Sequence, residues 1–114
     1  MSQSEDNVCL FIQHPKVMIA SDSYTTAPYG LLGMMRPHPR TYGTFPRVLC
    51  EYVRRKKIIS LREAIRKMTS LPASRLGLKN RGVIGEGKKA DIVIFDAETI
   101  EDRATYEEPN RYPE

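Results

Sequence analysis

The chain has 114 residues, enough for one small domain, and its 40% hydrophobic and 28% charged content is ordinary for a globular protein. Its formal net charge of +4 is modest, and no run approaches the roughly 18 apolar residues of a membrane helix. Neither a membrane span nor a nucleic-acid partner is therefore expected. The N-terminus shows no basic region leading into an apolar core, so no signal peptide is read. Cys9 and Cys50 are far apart, have no metal-ligand spacing, and read as reduced thiols in small core positions of a cytoplasmic chain.

The residues from Ser4 to Gln13 predict a helix. Ser4 can cap it, Glu5 and Asp6 favour its positive start, and Val8, Cys9, Phe11 and Ile12 share one apolar face. His14-Pro15 stops it. Val17 to Ser21 then reads as a strand that is continuously apolar, as a strand covered on both faces is. Asp22 stands at the C-terminal end of that strand, where barrel enzymes carry catalytic groups. A carboxylate there can take a proton and later deliver it. An Asp after a strand also serves commonly as a turn residue or helix cap.

The loop from Asp22 to Thr44 is long for a barrel connection and holds Tyr24, Tyr29, Arg36, His38, Arg40 and Tyr42. Loops beyond about 12–15 residues without structure are usually functional or disordered. Arg can grip a carboxylate with two hydrogen bonds; equally, Arg36 and Arg40 can face solvent while the prolines stiffen the loop. His38, between two prolines, reads as structural. Pro46 is expected to open a helix, with Val48, Leu49, Tyr52 and Val53 on its buried face. Arg54-Arg55-Lys56-Lys57 ends it, where cations suit the helix dipole. Such a cluster is more often a solvated cap than a nucleic-acid patch.

Ser60-Leu61-Arg62-Glu63 is a capping box, and Leu61, Ala64, Ile65 and Met68 follow at helical spacing. Ser70-Leu71-Pro72 starts a further short helix, which Gly77 can stop. From Gly82 onward the chain reads as β-rich, with Ile92 to Phe95 as a buried strand and Asp91 and Asp96 at its ends. Gly82, Gly85 and Gly87 mark turns; no Lys-Ser/Thr pair and following helix complete a phosphate-binding loop. Glu107 to Glu114 reads as an irregular tail.

Three stretches taken together carry a resemblance: His38-Pro39-Arg40-Thr41-Tyr42-Gly43-Thr44-Phe45-Pro46-Arg47, Gly87-Lys88-Lys89-Ala90-Asp91-Ile92-Val93-Ile94-Phe95-Asp96, and Asp102-Arg103-Ala104-Thr105-Tyr106. In this order they resemble the C-terminal end of the N-acyl-D-amino-acid deacylases (D-aminoacylases) of the amidohydrolase superfamily. The second stretch is shared widely in that superfamily; the first is narrower and points to the deacylase branch. The resemblance covers nearly all of this chain but only the tail of the family's usual enzyme.

The resemblance implies an α/β architecture: the last strand and helix of a metal-dependent TIM barrel in residues 1–58, connecting helices in 59–80, and C-terminal strands of a small β-sandwich plus tail in 81–114. A complete barrel takes roughly 200 residues or more, so the chain is expected to be a split or truncated product or a partial sequence, with Met1 an internal methionine. The implied activity is hydrolysis of the C–N amide bond of N-acyl-D-amino acids. Zinc-bound water would attack the amide carbonyl, which zinc polarises, and Asp22 would shuttle the proton. Arg40, Tyr42 and Arg36 would bind substrate. No metal ligand is assigned here, although Asp22 is a candidate contact; zinc belongs to the complete enzyme and none is expected on this piece. Glycine is usual in the family where this chain has Ser23, so a positive φ there would strain the site. The alternative is a non-catalytic remnant or subunit piece that self-associates or docks onto an upstream half-barrel.

Overall fold

The computed structural model describes residues 4–114; Met1, read above as an internal start, lies outside them. Helix α1 (Glu5–Gln13) begins at Ser4, whose side chain accepts from the backbone N–H of Asn7 at 3.3 Å. It ends at His14, extended before Pro15, as the residue before a proline prefers. Ile12 is the fully packed position of its apolar face.

A one-turn helix α2 (Gly30–Gly33) interrupts the long loop, and α3 (Arg40–Arg47) begins six residues before the proline expected to open it. Pro39 takes the helical conformation at the cap, so its fixed φ prepares the first turn, and Gly43 N–H bonds back to its carbonyl at 2.9 Å. Pro46 therefore lies inside the helix and removes a donor from the ladder. The chain continues directly as a π-helical stretch, Val48–Arg55, closed by the bond from Lys56 N–H to the Glu51 carbonyl at 2.8 Å. A wider register of this kind is uncommon at such length.

Of the expected capping box the Ser60 half forms, while the Glu63 carboxylate turns to Arg66 instead of back to the Ser60 N–H. Ser60 Oγ accepts from Glu63 N–H at 3.2 Å and starts α4 (Leu61–Met68), while α5 (Ser70–Arg75) carries Pro72 in its first turn and gives way to Gly77 at φ +69°. Helix α4 packs against both α5 and the π-helical stretch. The core is Ile12, Val48, Leu49, Tyr52 and Ala64, with Val8, Cys9, Ile19, Ile65, Phe95 and Ile100 packed around it. Cys50 is buried, Cys9 partly so, and both thiols are free.

Lys67 is buried at 0% exposure. Its ammonium donates to the carbonyls of His14 and, at 3.0 Å, of Val17, with Glu63 Oε1 at 3.6 Å. The Lys67 carbonyl in turn accepts from Ile19 N–H at 3.2 Å. Helix α4 thus grips the segment that leads to Asp22 from two sides.

Both expected strands differ from the structure: among the described residues there is no β-strand. Val17 to Ser21 is not a ladder strand, and Ile92 to Phe95 is not a buried one. Ile92, Val93 and Ile94 are 58%, 83% and 93% exposed, and only Phe95 reaches the core. The reason is that a strand is a paired state. Its N–H and C=O groups need a neighbouring chain about 4.8 Å away, and among the described residues no such neighbour pairs with either segment. The α/β reading is accordingly not realised within these residues, which fold as helices and irregular chain.

Candidate active site

Asp22 follows the extended segment and adopts φ +50°, a left-handed conformation that Asp and Asn tolerate better than most residues. The positive φ falls on Asp22, and not on Ser23 where strain was expected. Ser23 instead turns its hydroxyl to Thr41 Oγ1 at 2.8 Å. Its carboxylate free of burial, Asp22 is 85% exposed at the side chain and pairs with Arg40 Nη2 at 2.9 Å. Arg40 Nε also donates to the Asp22 carbonyl at 3.2 Å. One guanidinium therefore holds both the backbone and the side chain of Asp22, and the two residues read as catalytic and substrate-binding stand together.

The other two expected binding residues are placed elsewhere. Tyr42 packs its ring edge-on against Tyr112, with centroids 5.4 Å apart, and its buried hydroxyl has no hydrogen-bond partner. Arg36 Nη2 donates to the Glu107 carbonyl at 2.7 Å. His38 is structural in position: Nδ1 accepts from Arg40 N–H at 3.1 Å, and Nε2 lies 3.1 Å from the Tyr106 hydroxyl.

A cavity of about 400 Å³ lies beyond Arg40, between α3 and the 102–107 segment, with Arg47, Asp102 and Tyr106 among its walls. Burial raises the Asp102 carboxyl above its ordinary value, offset in part by the Ala104 N–H and the Arg47 charge. The backbone of Gly43 passes so close that a Cβ built there would sit 2.7 Å from Asp102 Cγ. Asp102, Glu107 and Asn110 received no role from the sequence; a short polar residue with partners more than fifty residues away leaves no periodic trace.

Among the described residues, no three His, Cys, Asp or Glu side chains come together in a way that could hold a metal ion. No described helix is long and apolar enough to cross a membrane. Of the basic cluster, Arg54 donates to the carbonyls of Ala97 (3.2 Å) and Ile100 (2.7 Å), Arg55 pairs with Glu101 and Glu51, and Lys56 pairs with Glu5. Three of its four cations are thus engaged inside the chain.

The sequence profile of the amidohydrolase family matches residues 10–114, and the chain belongs to that family. It is 43% identical over 108 residues to an N-acyl-D-glutamate deacylase of Alcaligenes xylosoxydans xylosoxydans, covering 95% of this chain and 21% of that protein. A D-aminoacylase of the same organism is 44% identical over 105 residues, covering 92% and 20%. The chain thus spans about a fifth of the length of these curated relatives. Among solved structures, a D-aminoacylase superposes with a TM-score of 0.85 at 39% identity, covering 97% of this chain and 22% of that one. The N-acyl-D-glutamate deacylase of Bordetella bronchiseptica, complexed with zinc and a phosphonate inhibitor that mimics the tetrahedral intermediate, gives 0.85 at 42% identity with the same coverage.

Proposed function

We propose that this chain is the C-terminal part of a metal-dependent hydrolase that cleaves the amide bond of N-acyl-D-amino acids, with Asp22 as its acid–base carboxylate. The observation that carries the reading is the exposed Asp22 carboxylate, set by a left-handed turn at the end of the segment gripped by Lys67 and touched by Arg40. The names of the relatives supply the substrate class. An exposed carboxylate can take a proton from an attacking water and return it to the departing amine nitrogen. The Arg40–Asp22 pair is solvent-accessible and worth about 0–1 kcal/mol, so a substrate carboxylate can replace Asp22 on the guanidinium. Arg36 and Tyr42 are engaged with the Glu107 carbonyl and the Tyr112 ring, so in this reading the carboxylate contact falls to Arg40.

The zinc of the complete enzyme does not find a ligand set in the described residues. In this reading it is held by upstream strands, with Asp22 the sole candidate contact from this chain, and no step is assigned to it here. Residues 1–58 complete the barrel, 59–80 connect, and 81–114 supply β-sandwich strands, with Val17–Ser21 and Ile92–Phe95 becoming paired once upstream strands lie beside them. Free Cys9 and Cys50 suit a cytoplasmic setting. A second reading, a non-catalytic remnant that docks onto an upstream half-barrel or onto itself, draws on the exposed apolar run Ile92-Val93-Ile94.

The test joins this chain to the part of the N-acyl-D-glutamate deacylase that it does not cover. The chimera should hydrolyse N-acyl-D-amino acids and the isolated chain should not. Asp22→Asn should lower kcat by about 10²–10⁴ with the fold kept, because Asn also accepts the left-handed turn. Full turnover by that variant would reduce Asp22 to a turn residue; a folded but inactive chimera would favour the remnant.

A further inference from the structure

Residues 101–114 have no regular structure, yet they are tied along their length. Glu101 and Glu114 exchange backbone hydrogen bonds at 2.6 and 3.3 Å, closing the segment on itself. Between these ends, side-chain contacts reach back to the loop before α3 and to α3 itself. The Asn110 amide donates to the carbonyls of Gly33 at 3.1 Å and Met35 at 2.9 Å. Arg36 bonds to the Glu107 carbonyl, His38 meets Tyr106, and Tyr42 packs on Tyr112. The stretch around α2 is otherwise held mainly by its own turn bonds, Gly33 N–H to the Tyr29 carbonyl at 3.1 Å and Met35 N–H to the Leu32 carbonyl at 3.3 Å. Gly30 has φ +64°, α2 is one turn long, and Leu31 and Met34 are 86% and 80% exposed.

Asn110 is the bond that closes this arrangement. The end of α2 leaves carbonyls without helical partners, and one side-chain NH₂, with its two donors, satisfies both. We propose that Asn110 is a positioning residue: it caps the Gly33–Met35 turn and thereby sets the loop that leads into α3 and presents Arg40 to the substrate. The proposal rests on the substrate-loop reading above for its functional half, and on the hydrogen bonds alone for its structural half. Asn110 touches no substrate in this scheme and acts through the loop.

Asn110→Asp is the sharpest probe, since it keeps the shape and turns a donor into an anionic acceptor facing two carbonyls. Hydrogen exchange on the full chain should show the amides of Gly33, Met34 and Met35 opening about tenfold faster, with those of α4 unchanged. Asn110→Ala, which removes the bonds without the repulsion, should do the same to a smaller degree. In the chimera described above, with N-acetyl-D-glutamate as substrate, both variants should raise KM about fivefold or more and leave kcat within about twofold, the pattern of lost ground-state binding. Unchanged exchange at 33–35, or uniform acceleration across the chain, would overturn the cap. Local opening with an unchanged KM, or with a fall in kcat alone, would overturn the positioning role. A chimera inactive with Asn110 in place would instead refute the proposed function, while the exchange result would still decide the cap.

Discussion

Replacing Lys67 with Met keeps the aliphatic stem and removes the ammonium. The cost can be worked from its partners. Two carbonyl hydrogen bonds from a charged donor, to His14 and Val17, are worth about 1.5–3 kcal/mol each. Against this stands the desolvation of the fully buried ammonium, several kcal/mol per ion in comparable sites, which the variant recovers. Glu63 is not orphaned: its side chain is about a third exposed (31%) and is held by Arg66 through Nε at 2.8 Å and Nη2 at 2.7 Å. The two carbonyls are less fortunate, because each buried acceptor left unmade costs about 1–3 kcal/mol. Water reaches His14, which is exposed, more readily than half-buried Val17. With the ammonium's desolvation offsetting its bonds and water reaching His14, the expected net loss is that of the Val17 acceptor, about 1–3 kcal/mol, which at a urea slope of about 1–3 kcal/mol/M lowers the midpoint by about 1 M. The Ile19 amide, bonded to the Lys67 carbonyl, should exchange faster than the amides of α1. A midpoint unchanged or raised would mean that desolvation outweighs the bonds, and that Lys67 does not brace the segment leading to Asp22.

Other residues give independent tests. Burial holds the Asp102 carboxyl above its ordinary 3.8, so the folded state binds that proton more tightly, and the associated stability is present below 3.8 and lost as pH rises through the folded value; Asp102→Asn should flatten that fall in urea titrations run upward from pH 3.8. Glu63 is the opposite case, held below 4.5 mainly by its hydrogen bond to Arg66; its stabilisation is present above 4.5 and lost as pH falls through the folded value, and Glu63→Gln should remove that acid-sensitive part. Gly82, at φ +80°, would place a Cβ 2.9 Å from the Thr69 carbonyl, so Gly82→Ala should destabilise by about 1–3 kcal/mol, read as a lowered thermal midpoint. The exposed run Ile92-Val93-Ile94 should drive self-association of the isolated chain in light scattering, and Ile94→Lys should reduce it; a monodisperse wild-type chain would contradict this.

The helices were legible because their signals act over one turn. Ser4 and Ser60 each satisfy an N–H three residues on, and Gly77 ends α5 by its own conformational freedom. Those choices are made by residues in contact along the chain, so sequence spacing shows them directly. The start of α3 is not legible because two prolines compete for the same role: Pro39 takes it at the cap, and Pro46 lies buried inside the helix. Asp22 and Arg40 were both legible as chemistry, but their pairing across 18 residues was not; it depends on the turn at Asp22 and on the place where α3 begins.

The strands failed for a different reason, and the reason bears on function. The pattern Val17-Met18-Ile19-Ala20 and Ile92-Val93-Ile94-Phe95 is that of chain covered on both faces, yet Val93 and Ile94 lie almost fully in solvent. Period and composition record the environment a segment is built for, whereas a ladder forms only where a partner is present. The helices close their own hydrogen bonds and so persist in this chain. The two apolar segments cannot, and they retain the sequence of a sheet without its pairing. Ile92, Val93 and Ile94 stay exposed, while Ile19 packs against the core. Asp22 sits at the end of one of the two segments, so the geometry of the proposed site depends on whether that segment gains its neighbours.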